Sequence, residues 1–111
     1  RKLSPHINVY EISGPLFFGA ADVIGRIAVK DHAKCLILRM RSVPALDSTA
    51  LNAMTDLYKN CEKRGITLIL SHVNQQPMKV MEKAGFAQKV GQENFCENID
   101  RAIKRAEELV H

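Results

Sequence analysis

Two short apolar runs, residues 35–40 and 66–70, stand out along the chain because almost every position in them is hydrophobic. Runs of this length without polar alternation are typical of strands that are covered on both faces of a sheet. Between them, residues 48–64 carry apolar side chains at helical spacing, and Gly65 follows where a helix commonly ends. These helical positions are Ala50, Leu51, Met54, Leu57, Tyr58 and Cys61. The order strand, helix, strand predicts a right-handed crossover between two parallel strands.

The N-terminal segment shows a different pattern. Residues 7–12 alternate in polarity and contain β-branched side chains, Ser13 and Gly14 give a turn signal, and residues 15–18 are again apolar. This pattern predicts a hairpin of two antiparallel strands. Apolar positions at helical spacing then predict a short first helix within residues 19–28.

The C-terminal third predicts two helices separated by a strand. Pro77 suits the first turn of a helix that ends at Gly85, and the polar segment 86–95 is interpreted as a last edge strand. From about Glu97 onward, one face of an amphipathic helix carries Ile99, Ala102, Ile103, Ala106, Leu109 and Val110. The predicted fold is an α/β sandwich: a mixed sheet of four or five strands with interleaved helices and a C-terminal amphipathic helix.

Length and composition favour a single globular domain. A chain of 111 residues has room for one core, and 46% apolar with 25% charged residues is an ordinary globular balance. No apolar run approaches the roughly 18 residues of a membrane helix, and no secretory signal is recognisable. We therefore expect the domain itself to be cytoplasmic. Because the chain begins at Arg1 without a methionine, we also expect it to be a piece of a longer protein.

Charge and cysteine usage argue against several classes of function. The net charge of +4 comes from basic residues scattered through every predicted element, which argues against nucleic-acid binding. Cys35, Cys61 and Cys96 are odd in number and are expected on a buried strand, a helix face and a helix start, so we interpret them as reduced thiols. Together with His72 they are too widely spaced for a zinc site, and we expect neither a metal nor a cofactor.

Two segments, Gly14-Pro-Leu-Phe-Phe-Gly-Ala-Ala-Asp22 and Val43-Pro-Ala-Leu-Asp-Ser-Thr-Ala-Leu-Asn-Ala53, together resemble the signature of the STAS domain. This fold is shared by anti-sigma factor antagonists and by the cytoplasmic C-terminal regions of SulP anion transporters. The likeness extends over nearly the whole chain, so residues 1–111 are expected to form one STAS domain. The Phe-Phe-Gly-Ala-Ala stretch resembles the transporter branch, and so does Glu93-Asn-Phe-Cys-Glu-Asn-Ile-Asp100 before the final helix.

The resemblance to the transporter branch implies a role and partners. It implies a non-catalytic regulatory domain of a SulP-type transporter of sulfate or a dicarboxylate, at the cytoplasmic face of the cell inner membrane. Residues 1–6 would then be the remnant of a linker. The implied partners are the protein's own N-terminal membrane domain, a second protomer in a homodimer, and a regulatory protein. The alternative within the family is a free-standing anti-sigma factor antagonist that is switched by phosphorylation.

The polar corner at Asp47, Ser48 and Thr49 admits two interpretations. Its acid and hydroxyls suit the N-cap of the following helix, and capping is the interpretation that we favour. In anti-sigma factor antagonists, the resemblance places the phosphorylated serine at the position of Thr49, although threonine replaces serine here and Ala50 replaces the usual glycine. A phosphate there would sit at a helix N-terminus, where the dipole favours an anion. Thr49 and Ser48 are therefore candidate regulatory sites.

Arg39 and Arg41 alternate near the carboxyl end of the buried strand, close in sequence to this corner. They are candidates for pairing with Asp47 or for contact with an anion or a partner, because ligands of open α/β sheets bind at that end. Strand-end charges that reach solvent are the simpler interpretation.

A hydrolase site built from Ser48 and His72 is a third class of function that we rank far lower, because no Gly-x-Ser-x-Gly elbow is present.

Overall fold

Four parallel strands form one sheet in the computed structural model, which describes residues 3–17, 20–27 and 29–110. The strands lie side by side in chain order, and all three pairings between them are parallel. They are β1 (Ile7–Ser13), β2 (Cys35–Ser42), β3 (Thr67–Ser71) and β4 (Phe95–Cys96). Because the pairings are parallel, all four strands end at the same edge of the sheet.

Helices connect the strands and close the chain. They are α1 (Ala20–Gly25), α2 (Ser48–Lys63), α3 (Gln75–Lys83), α4 (Phe86–Val90) and α5 (Ile99–Val110), with a short 3-10 helix at Gln92–Asn94. The α/β class, the four-stranded sheet, the interleaved helices and the C-terminal helix are confirmed. None of the helices in the described part of the chain combines the length and apolar character needed to span a membrane.

The larger of two cores lies on one face of the sheet. Leu36, Leu38 and Met40 of β2 point into it and are fully buried. Helix α2 covers them with Ala50, Leu51, Met54, Leu57 and Cys61, and residues of α1, α3 and α4 complete the cluster. Burying a side chain of this size stabilises the fold by about 1.5–3 kcal/mol, so this face carries most of the hydrophobic stabilisation.

The smaller core lies on the opposite face, beneath α5. There, Cys35 and Ile37 of β2 and Ile69 of β3 are fully buried against Ala102 and Ala106 of the helix. The two alanines are one helical turn apart and put little bulk between helix and sheet. The alternation of β2 side chains between the two cores explains why its sequence is apolar at successive positions.

The predicted N-terminal hairpin is wrong. After β1, Gly14 adopts φ +83°, but its N–H donates to Ser42 O (2.8 Å) and the chain continues in the same direction. Leu16 then forms a parallel bridge with Leu46, so the segment extends alongside the loop after β2. The sheet is therefore parallel, not mixed, in all its described pairings. Phe18, the last residue of the predicted hairpin, lies outside the described residues.

The predicted edge strand over residues 86–95 is also largely wrong, since only its last residue lies in β4. Phe86, Ala87 and Val90 are buried at helical spacing in α4, but three residues are too few for the helical period to be recognised in the sequence. Cys96 lies in β4 and is half-buried, whereas the sequence placed it at a helix start.

The N-terminus of α2 is capped by Asp47, as predicted. Its extended backbone (φ −107°, ψ −179°) directs the side chain back toward the first turn, where Oδ1 accepts a hydrogen bond from the N–H of Ala50 at 2.9 Å. The helix ends at Lys63 with Arg64 as its C-cap, and Gly65 follows with φ +70°, a conformation that glycine adopts without steric cost.

We expect Asp47→Ala to lower the free energy of unfolding by about 1 kcal/mol, because the Ala50 N–H loses its cap. Asp47→Asn retains an acceptor oxygen and should stay close to the wild type. Chemical denaturation monitored by circular dichroism measures the difference. Asp56→Ala is the control, since Asp56 is exposed on the same helix away from its terminus. Equal losses for Asp47→Ala and Asp56→Ala would contradict the capping role.

Candidate functional site

The corner between β2 and α2, residues 43–49, turns the chain at the carboxyl edge of the sheet. Leu46 is buried (1% exposed) and anchors the corner in the large core. Asp47 is half-buried as the cap, while Ser48 and Thr49 are exposed. The corner therefore presents both hydroxyls on the surface above a buried apolar base.

Two amide side chains from the start of α3 hold the corner on one side. Gln76 binds both backbone groups of Leu46: its Oε1 accepts from the N–H (2.9 Å), and its Nε2 donates to the carbonyl (3.1 Å). Asn74 donates through Nδ2 to the carbonyls of Arg41 (3.0 Å) and Val43 (2.8 Å). We call Asn74 and Gln76 the amide clamp. It satisfies three backbone groups of the corner and the carbonyl of Arg41 near the end of β2.

The segment after β1 holds the corner on the other side. Leu16 donates its N–H to Ala45 O (2.9 Å) and accepts from the N–H of Asp47 through its own carbonyl (3.0 Å). The corner thus lies between two neighbouring loops and is fixed by backbone bonds to one and side-chain bonds to the other. Its shape is set by the fold before any partner arrives.

Neither surface hydroxyl has a neighbouring group that would activate it among the described residues. Within the described residues, Ser48 and Thr49 make no side-chain hydrogen bond, whereas Thr55, further along α2, donates to Leu51 O at 2.9 Å. No hydrogen bond joins Ser48 to His72 in this part of the chain. Of the three residues of the corner motif, only Asp47 caps the helix.

Arg39 and Arg41 lie on the opposite face from α2. Strand alternation places them in line with Cys35 and Ile37, which face α5, and both line a small cavity near the start of that helix. No ion pair joins either arginine to Asp47 in the described structure. The pairing suggested by the sequence is therefore wrong, because residues close in sequence at a strand end belong to different faces of the sheet.

The three cysteines are free thiols in protected positions. Burial raises the pKa of Cys35, Cys61 and Cys96 above the ordinary thiol value, and nearby arginines offset this only in part. A raised pKa leaves less of the reactive thiolate at neutral pH. No cluster of three or more His, Cys, Asp or Glu side chains suited to a metal occurs among residues 3–17, 20–27 and 29–110.

The sequence did not reveal the amide clamp. Asn74 stands at the N-cap position of α3, where its type is common, but its side chain makes no cap hydrogen bond and reaches the corner instead. Gln76 has no local signature. Both act on residues about thirty positions earlier in the chain, so only the folded structure shows the contact.

Comparison with known proteins identifies relatives of this chain and its fold. The STAS domain family matches residues 2–102. A crystal structure of a sulfate transporter family protein from Wolinella succinogenes superposes with a TM-score of 0.91 at 36% identity, covering 99% of this chain and 92% of that one. The STAS domain of a SulP transporter from Vibrio cholerae superposes with a TM-score of 0.80 at 30% identity, covering 98% of this chain and 87% of that one.

A more distant similarity shows the fold alone. A candidate anti-sigma factor antagonist from Thermotoga maritima has a TM-score of 0.76 at 14% identity, covering 96% of this chain and 92% of that one.

The chain spans less than a fifth of the length of the first curated relatives that it matches, which are sulfate transporters in Bacillus subtilis and Arabidopsis thaliana by name. The family match extends over nearly all of the 111 residues, and two similar structures superpose over 98% or more of this chain. The chain therefore belongs to the STAS domain family, and its homologues there are SulP-type sulfate transporters.

Proposed function

We propose that this chain is the non-catalytic regulatory and interaction domain of a SulP-type secondary anion transporter, with sulfate or a dicarboxylate as the transported ion. It lies at the cytoplasmic face of the inner membrane, and residues 1–6 belong to the connection from a membrane domain. Similarity to SulP and sulfate transporter proteins at 30% and 36% identity supports this assignment. The proposed partners are the protein's own membrane domain and a second protomer, with a regulatory protein as a further partner.

One observation carries the proposal: hydrogen bonds hold the corner on both sides, and its two exposed hydroxyls have no base beside them among the described residues. The amide clamp and Leu16 fix its backbone, while Ser48 and Thr49 present hydroxyls that no base activates among the described residues. A nucleophilic serine or threonine needs a general base within hydrogen-bond reach. A preformed polar surface instead suits docking, because little conformational entropy is lost when a partner binds it.

Thr49 and Ser48 are the proposed modification sites of this surface. Both hydroxyls are accessible at the start of a 16-residue helix, where the free amides favour an added phosphate. The carboxylate of Asp47 is adjacent and already occupies the Ala50 N–H. A phosphate would therefore add charge to the surface beside an existing negative group and change which partners it accepts.

The coding sequence upstream of Arg1 gives the most direct test of the transporter assignment. We expect it to encode several apolar segments of about 20 residues, which is the length that spans a bilayer as a helix. A start codon within a few residues of Arg1 would instead favour the free-standing antagonist. Sequencing or reading the parent gene decides between them.

In the full-length protein, we expect Thr49→Glu to change the rate of anion uptake by about fivefold or more, the lower end of typical coupling between sites. The new carboxylate beside Asp47 disturbs docking through repulsion and desolvation. Uptake of radiolabelled sulfate into proteoliposomes measures the effect, and Thr49→Ala should differ little from the wild type in unmodified protein. Gln88→Glu is the charge control, since Gln88 is exposed on α4 away from the corner. Unchanged uptake in Thr49→Glu would remove the corner from the regulatory surface.

The clamp generates a prediction about rigidity. Gln76→Ala removes both bonds to Leu46, and we expect a loss of about 1–2 kcal/mol in unfolding free energy, because a typical hydrogen bond contributes about 1 kcal/mol. Amide hydrogen exchange at Leu46 should accelerate more than exchange in the centre of α2. Gln75→Ala is the matched control, as Gln75 is the exposed neighbour with no bond to the corner in the described structure. Equal exchange rates at Leu46 in both variants would argue against the clamp.

A further inference from the structure

A small cavity of about 130 Å³ lies on the α5 face of the sheet at the carboxyl ends of β2 and β3. Its lining consists of Arg39, Arg41, Ser71, His72, Asn98 and Ile99. No carboxylate contributes to this lining. The cavity is distinct from the β2–α2 corner, which lies toward the large core on the other face.

Ser71 is the buried polar group that points to a ligand. It is only 2% exposed, yet its hydroxyl makes no hydrogen bond within the described residues. Ser71 is paired with Arg39 on β2 and with Cys96 on β4. Paired residues point to the same face of the sheet, so the Ser71 side chain faces α5 and the cavity. Among the described residues, no fully buried side-chain oxygen or nitrogen lacks a partner, so the Ser71 oxygen retains its small exposed area. Because Ser71 lines the cavity, this hydroxyl is a donor open to it.

The arginines and the start of α5 supply further donors. Neither Arg39 nor Arg41 forms a side-chain hydrogen bond or ion pair in the described part of the chain, and Arg39 is half-buried. Asn98 directly precedes the 12-residue α5, and its Oδ1 accepts from the N–H of Arg101 in the first turn at 2.8 Å. The N–H groups of Ile99 and Asp100 lie at the start of the helix, before the first N–H that donates within it. They therefore have no acceptor inside the helix.

We propose that this cavity binds a small tetrahedral oxyanion, sulfate or phosphate. Two guanidinium groups, a buried hydroxyl and a helix N-terminus are the donors that such anions take in proteins. The volume of about 130 Å³ is below the roughly 300 Å³ at which pockets for larger organic ligands begin, so the cavity suits a small anion better than a nucleotide. Two carboxylates lie near in the fold, Glu11 as the strand partner of Arg39 and Asp100 in the first turn of α5. Their charge opposes an anion, so binding depends on direct hydrogen bonds from the donors that line the cavity.

The test is titration of the 111-residue chain with sodium sulfate and, separately, with sodium phosphate, at constant ionic strength held with sodium chloride. Amide chemical shifts in ¹H–¹⁵N spectra are the readout. We expect saturable shifts concentrated at Ser71, Ile99 and Arg39. Shifts that appear equally with chloride alone, or that are spread over the basic surface, would overturn the proposal.

Substitutions identify the donors. Arg39→Gln and Arg41→Gln should each weaken sulfate binding by about tenfold or more, because each removes a charged hydrogen-bond donor. Ser71→Ala preserves the charge and should still weaken binding severalfold. Arg26→Gln removes an exposed arginine after α1 and should leave binding unchanged. Equal weakening by Arg26→Gln, or full binding in Ser71→Ala and both arginine variants, would contradict the site, and folding of each variant is checked by circular dichroism.

Discussion

The register of β2 between two parallel neighbours is the constraint on which the rest of this structure depends. Its even positions fill the large core under α2, and its odd positions face α5. A slip of one residue would turn Arg39 and Arg41 into the large core, where each unpaired cation costs several kcal/mol. The register that buries Leu36, Leu38 and Met40 therefore also places both arginines beside the start of α5. Hydrophobic packing and the position of charge are set by the same pairing.

Local patterns predicted the elements whose evidence is local. Unbroken apolar runs identified β2 and β3, helical spacing identified α2 and α5, and the acid before α2 identified its cap. The hairpin failed because a glycine with positive φ serves equally in a reversal and in a bend that keeps direction. What decides between them is the bond from Gly14 N–H to Ser42 O, which joins residues far apart in sequence. Helix α4 was missed because its buried residues are too few for a period to emerge.

The candidate site likewise has features that the sequence predicted and features that only the structure shows. Its acid and hydroxyls were visible in the sequence because they surround a helix start, where residue preferences are strong. The groups that give the corner its shape were not visible, since Gln76 reaches Leu46 across 30 residues and Asn74 reaches Arg41 across 33. The partnerless state of Ser71 likewise requires knowledge of everything that packs around it. Sequence thus located the surface, and only tertiary structure showed how it is held.

Arg41 links the two faces of the strand end. Its carbonyl accepts from Asn74 of the amide clamp at 3.0 Å, while its side chain lines the cavity on the α5 side. An anion that draws the guanidinium inward acts on the same residue whose backbone the clamp holds. Any such effect is reciprocal, because a partner that binds the corner and shifts Arg41 must alter anion affinity by the same free energy. The proposed anion site and the proposed docking surface therefore share one residue, Arg41, although their occupants would not touch.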